Sequence, residues 1–258
     1  MAAEEYVQSL ARGLEVLRVF DASRPRQTLS EVAASTGLTR ATARRFLLTL
    51  VELGYVRTDG KQFELTARVL GLGYSYLSSL TLPELAQPHL ERLSAAVHES
   101  TSASVLDGTD IVYVARVPVR RIMAVTVGIG TRFPASATSM GRAILAALPA
   151  GERAGHLPDE LPTFTDRTIA SRTQLDAELD RVAVQGWALI DQELESGVRS
   201  LAVAVRDGAG AVLGAINIAA RADGDADAFV SRLLPELRSA AAELERDIAV
   251  TPGAADPR

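Results

Sequence analysis

Thr39, Arg40, Thr42, Arg44 and Arg45 bring three guanidinium groups and two hydroxyls into one short stretch. On a helix starting at Thr39 they take the outward face, while Phe46, Leu47 and Leu50 turn inward. Guanidinium suits two tasks on such a face: it clamps phosphate, and it forks onto the O6 and N7 of guanine. Lys61, the only lysine in the chain, follows Asp59-Gly60. That dipeptide is a tight-turn signal between the strand-like residues 55–57 and 62–65. Such a hairpin can rest as a wing on a nucleic-acid backbone or minor groove. Arg12 and Ser30 complete the candidate DNA-contacting set. The alternative is a small helical bundle with a solvated arginine face.

A second group of residues could do different chemistry. Ala137-Thr-Ser-Met-Gly141 approaches the nucleophile pattern Gly-x-Ser-x-Gly, with Ala137 in place of the first glycine. A serine nucleophile needs a base beside it. The only histidines are His89, His98 and His156, which fall on an expected helix and a proline-rich loop. None has metal-ligand spacing, the chain has no cysteine, and Gly128-Ile-Gly130 lacks the third glycine of a dinucleotide loop. No enzyme, metal or cofactor is expected. Thr138-Ser139-Met140-Gly141 opens a helix, so its amides are candidate donors to an anion.

The elements that must position these groups can be read coarsely. Leu10, Leu14, Leu17 and Phe20 give a helix over residues 9–20, with Ser9 as its cap. Ser30 caps a second helix, which Gly37 stops after Thr36. The third runs from Thr39 to Leu53. A short helix, a Gly-Leu turn and an Arg/Thr-rich helix is the layout of a helix-turn-helix. Thr66 caps a linker helix over residues 67–80, weakened by Gly71 and Gly73 and ended by Pro83. A helix over residues 83–100 then leads into strands at 102–106, 111–116 and 121–126. Helices at 138–148 and 173–185 follow, then strands at 187–191, 200–206 and 212–219, and a closing helix at 225–248. The expected class is α+β, with an antiparallel or mixed sheet flanked by helices. The expected division is residues 1–66 for DNA, 67–82 as linker, 83–250 as sensor and 251–258 as a disordered tail.

Bulk properties fit this division. The chain has 258 residues, 47% hydrophobic and 23% charged, with a net charge of −5. Residues 1–76 hold ten basic and eight acidic side chains, net +2, which leaves −7 for the remainder. Opposite signs suggest modules with different partners. No stretch has the ~18 unbroken apolar residues of a membrane span. The acidic start, Met1-Ala-Ala-Glu-Glu, lacks a signal-peptide layout, so a cytoplasmic protein is expected.

The order of several segments resembles the IclR family of bacterial regulators. They are Ser9-Leu-Ala-Arg-Gly-Leu-Glu-Val-Leu, Leu29-Ser-Glu-Val-Ala with Thr36-Gly-Leu, and Leu50-Val-Glu-Leu-Gly-Tyr-Val. Further on come Gly141-Arg-Ala-Ile-Leu-Ala, the Gly186-Trp, Glu193 and Gly197 stretch, and Ala202-Val-Ala-Val-Arg-Asp with Ile216-Asn-Ile. The resemblance implies a winged helix-turn-helix joined by a helix to a GAF-like effector domain. It also implies dimers, often paired into tetramers, that bind operator DNA. The segments Arg116-Val-Pro-Val-Arg-Arg-Ile-Met123 and 130–142 resemble the members that regulate protocatechuate and 4-hydroxybenzoate breakdown through β-ketoadipate. A small aromatic or dicarboxylic acid is the effector this implies. By the same resemblance the pocket is lined by Thr138, Ser139, Met140 and Gly141, by Val198 and Ser200, and by Asn217 and Ala219. Arg121 and Arg132 are added as carboxylate partners, with Arg142 as a structural alternative. Glu193 and Glu195 either flank the pocket or sit on a loop. A regulator of the same fold sensing an unrelated metabolite, a protein-binding sensor and a serine hydrolase are the competing readings.

Overall fold

The computed structural model describes residues 6–21, 23–72, 81–119 and 127–251. The chain divides into two compact units, Met1–Ser78 and Ser79–Arg258. The expected strand over residues 121–126, most of the expected linker helix and the expected tail beyond Thr251 lie outside the described residues.

In the first unit, α1 (Gln8–Arg18), α2 (Leu29–Thr36) and α3 (Arg40–Glu52) pack around Val16, Phe20, Val32, Leu47 and Leu50. Helix α1 starts without a side-chain cap, its N-cap position being Val7, so Ser9 lies inside the helix. The cap of α2 is Thr28 rather than Ser30. Thr28 Oγ1 accepts from the Glu31 amide at 3.4 Å, and Glu31 Oε2 accepts from the Thr28 amide at 2.7 Å. This reciprocal box satisfies two amides at once, which a serine two residues on cannot do. Gly37 stops the helix in the left-handed region at φ 64°, where a side chain would be strained. Leu38 packs onto the core, and Thr39 caps α3 by accepting from the Thr42 amide at 3.2 Å.

Two strands, β2 (Val56–Thr58) and β3 (Gln62–Leu65), form the expected hairpin. A third strand that the sequence reading did not anticipate, β1 (Arg26–Thr28), pairs antiparallel with β3, giving the order β1-β3-β2. Three residues after a proline carry no periodic signal, so only pairing across the fold reveals it. Thr66 caps a 3-10 turn over Ala67–Val69, and residues 70–72 are helical.

In the second unit, α4 (Thr81–Val97) precedes β4 (Ser100–Asp107) and β5 (Asp110–Val117). Pro83 lies in the first turn of α4, where its missing N–H breaks no helical bond, so it does not terminate an element. Strand β6 (Arg132–Pro134), another short strand the reading missed, leads to α5 (Ser139–Ala147). The short α6 (Ala150–Arg153) and then α7 (Arg172–Gln185) follow. Strands β7 (Ala188–Asp191), β8 (Val198–Arg206) and β9 (Val212–Arg221) come before the closing helix α8 (Ala226–Val250). The six strands form one antiparallel sheet ordered β6-β5-β4-β9-β8-β7.

Side chains alternate across this sheet. Thr101 points to α4 and donates to the Leu90 carbonyl at 2.9 Å, so Ser102 takes the other face. That second face carries the small residues Ala188, Ala202 and Ala215, over which α5 and α7 pack with Met140, Ala143, Ile144, Leu175 and Leu179. Short side chains on the strands are what allow the helix layer to sit close. Gly141 extends the same economy, since an added Cβ there would overlap the backbone of Ala135.

Candidate functional site

The first candidate surface is the outward face of α3. Arg40, Arg44 and Arg45 are exposed, and Thr42 is half-buried. No ion pair among the described residues engages these arginines, Arg12 or Lys61. Three other arginines of the same unit meet carboxylates: Arg26 and Arg57 both grip Glu64, at 2.9 and 2.7 Å, and Arg24 meets Asp21. Glu64 is held below the usual carboxylate range first by the hydrogen bond from Arg26, then by that from Arg57. The α3 arginines are thus left with their full charge on water. A hollow of about 350 Å³ between α1 and α3 brings together Arg12, Thr42 and Arg45, beside Ser9 and Thr49. Lys61 is exposed on the hairpin turn, and Ser30 is exposed within α2.

The second candidate site is a cleft between the start of α5 and the small-residue face of the sheet. Thr138, Ser139, Met140, Val198, Ser200, Asn217 and Ala219 all line it. Seven residues from three separate segments therefore converge on one place. Gly141 stands one residue further on, and its amide donates to Thr138 Oγ1 at 3.1 Å, which fixes the first turn of the helix. Ser200 Oγ donates to Ser139 Oγ at 2.8 Å, tying strand to helix. Among the described residues, the buried Asn217 Oδ1 has no hydrogen-bond partner. A buried polar atom left unpaired costs about 1–3 kcal/mol, so this oxygen is receptive to a ligand donor. Tyr113, Ala137, Ile190, Leu194 and Glu195 complete the lining. Of these, the sequence reading weighed only Glu195. Tyr113 could have been found from alternation, since Ile111 and Tyr113 are buried two residues apart on β5, ahead of its bulge. Burial pushes the Tyr113 phenol up to about 12 against the opposing charge of Arg116, so it enters any contact as a neutral donor. The cleft holds about 30 Å³ in this structure, the room of a single water.

The proposed arginine partners fare differently. Arg132 lies on β6 with its guanidinium on Asp107 at 2.5 Å and Asp110 at 3.2 Å, away from the cleft. The hydrogen bond to Asp107, chiefly, raises its already high pKa. Arg121 lies outside the described residues. Arg142 is buried and structural: its Nη atoms fork onto Glu193 at 2.8 and 2.6 Å, and its Nε donates to the Ser136 carbonyl at 2.8 Å. Glu193 also accepts from the Ile169 amide at 3.2 Å, so the pair clamps α5 to two loops.

Among the described residues, the hydrogen bond of Ser139 Oγ is to Ser200, not to a histidine. His89 faces Asp247 and Arg92, and His156 bonds the Gly108 carbonyl.

Comparison with known proteins fits this arrangement. The IclR helix-turn-helix domain matches residues 9–60, and the C-terminal domain of bacterial IclR transcriptional regulators matches residues 74–246. The chain belongs to the IclR family. It is a DNA-binding transcriptional regulator, as its named relatives are, and not an enzyme. The Pca regulon regulatory protein of Pseudomonas putida is 41% identical over 83% of this chain and 74% of its own. A transcriptional regulator from Rhodococcus sp. RHA1, solved as a crystal structure, is 56% identical with a TM-score of 0.82, covering 94% of this chain and 98% of that one. An IclR homologue from Microbacterium hydrocarbonoxydans, crystallised with 4-hydroxybenzoate, is 26% identical with a TM-score of 0.80, covering 93% and 98%. Among the described residues, no helix of this IclR regulator is long and apolar enough to cross a membrane.

Proposed function

We propose that this regulator changes its operator affinity on binding a small organic acid of the hydroxybenzoate or β-ketoadipate type in the α5 cleft. The observation that carries the reading is the convergence of Thr138, Ser139, Ser200 and the unpaired Asn217 on a mostly apolar cleft. Apolar walls with a few convergent polar groups are what small organic ligands require. The relative crystallised with 4-hydroxybenzoate shares the fold and supports the class. Known ligand pockets hold about 300–1,000 Å³, so binding must spread α5 from the sheet. That displacement is the conformational change the ligand would drive.

Operator contact is assigned to Arg12, Ser30, Thr39, Arg40, Thr42, Arg44, Arg45 and Lys61. A homodimer, or a dimer of dimers, acting in the cytoplasm would set two α3 helices in successive major grooves, about 34 Å apart or a multiple of that. Residues 67–82 would pass the change from cleft to DNA. Coupling of this kind is usually ~1–3 kcal/mol, a 5- to 150-fold change in operator affinity.

The test is calorimetry with 4-hydroxybenzoate, protocatechuate and β-ketoadipate, joined to anisotropy titration of genomic fragments captured by the protein. One acid is expected to bind and to shift fragment affinity within that range. Binding by none of the three overturns the effector class while leaving the regulator intact. Arg132→Ala is expected to leave acid binding unchanged, because its charge is spent on Asp107 and Asp110.

A further inference from the structure

Resting on the effector reading above, we infer that Arg116 is the carboxylate anchor of the cleft. Arg116 lies near the end of β5, opposite Ser102 of β4, which in turn lies opposite Asn217 of β9. Ser104 of β4 lies opposite Tyr113. A bulge between Ala103 and Ser104 shifts the register of β5, which puts Arg116 on the same face as Tyr113. The guanidinium therefore stands beside a polar row, Ser102 and Asn217, that ends in the cleft.

What sets Arg116 apart is that, among the described residues, its guanidinium meets neither a carboxylate nor a carbonyl. The interior arginines Arg142, Arg153 and Arg199 each meet a carboxylate, and Arg206 spreads over the carbonyls of Gly210 and Ala147. Arg116 makes one contact among the described residues, a 3.3 Å bond from Nη1 to Ser102 Oγ, and its buried Nε has no partner. Burial lowers its pKa, and the Tyr113 phenol, not a carboxylate, is what offsets this. A half-buried guanidinium held by one hydroxyl has lost part of its water for little in return, and a carboxylate supplies the bidentate partner it fits. The arrangement also assigns the ends of the ligand. The acid group goes to Arg116 and Ser102, and the hydroxyl or keto end goes toward Asn217, Ser200 and Ser139.

The test compares each of the three acids with its matching neutral primary amide in calorimetry, using the full-length protein and its Arg116→Gln and Arg116→Lys variants. The wild type is expected to favour the binding acid over its amide by about 10- to 100-fold, the range for a charged hydrogen-bond pair. Arg116→Gln should erase that preference by weakening the acid and leaving the amide within about threefold. Arg116→Lys should fall between, keeping the charge but losing the fork. A purely structural arginine would weaken acid and amide alike, and that result overturns the anchor, as does an unchanged preference in the variants. Should Arg116→Gln fail to fold, Arg116→Lys alone decides, on the same acid-to-amide ratio. Failure of the wild type to bind any of the acids overturns the effector reading and the anchor with it. Acid binding with an unaltered ratio overturns the anchor alone.

Discussion

The α3 face and the α5 cleft use arginine in opposite ways. On α3, Arg40, Arg44 and Arg45 are exposed, with no ion-pair partner among the described residues. Beside the cleft, Arg142 is buried and saturated by Glu193 and the Ser136 carbonyl. The exposed arginines cost the fold almost nothing and keep their charge for a partner outside the chain. The buried one is committed to holding the helix whose first turn lines the cleft. Exposure, more than residue type, separates a candidate recognition surface from a scaffold in this molecule.

Removing one half of the buried pair gives the sharpest test of that contrast. Glu193→Ala strands the Arg142 charge and should destabilise the second unit by about 3–5 kcal/mol, read by denaturant unfolding. Arg44→Ala on α3 should leave the same midpoint unmoved. A second substitution asks whether the two units report separately. Leu47→Ala empties the centre of the first core and should cost about 2–5 kcal/mol, with hydrogen exchange rising in residues 8–65 and not in β8 or β9. Equal loss of protection in both would mean that the units unfold as one. Next in size is the DNA face itself. Arg45→Ala should weaken fragment binding and flatten the slope of log affinity against log salt by about 0.9, the value for one phosphate contact on duplex DNA. Acid binding in the cleft should not share that loss. Smaller again is the cap of α2. Thr28→Ala should lower stability by about 1 kcal/mol in thermal melts, and Ser30→Ala by much less. Smallest is Arg132→Ala, which removes an exposed pair and should change the melting midpoint by the equivalent of about 1 kcal/mol or less.

How much of this was legible in the sequence follows the same division. Gly37, Thr39 and Asp59-Gly60 mark turns and caps by local chemistry, and each holds its expected place. The cap of α2 was legible too, in the Thr28-x-x-Glu31 pattern, yet a neighbouring serine drew the assignment away. Strands β1 and β6 were not legible, because three residues carry no period and both exist only through pairing with distant strands. Arg132 shows the limit in the site. Its sequence neighbourhood suggested a ligand contact, and its fate was decided by Asp107 and Asp110 across the sheet edge. The Arg142–Glu193 pair, 51 residues apart, lies beyond any local pattern. The cleft lining from α5, β8 and β9 came through family resemblance, whereas the place of Arg116 opposite Ser102 needed the register of β5.

The seam between β4 and β9 has a consequence for how the protein comes into being. Ser102 and Asn217 face each other there, more than a hundred residues apart in the chain. A ribosome therefore releases the helix-turn-helix, the linker and five of the six sheet strands before the floor of the cleft exists. Pairings of such long sequence separation form slowly, because the loop must close before any contact rewards it. The helix-turn-helix is finished well before the strand that completes the cleft. For that interval a nascent regulator has its helix-turn-helix and no completed cleft.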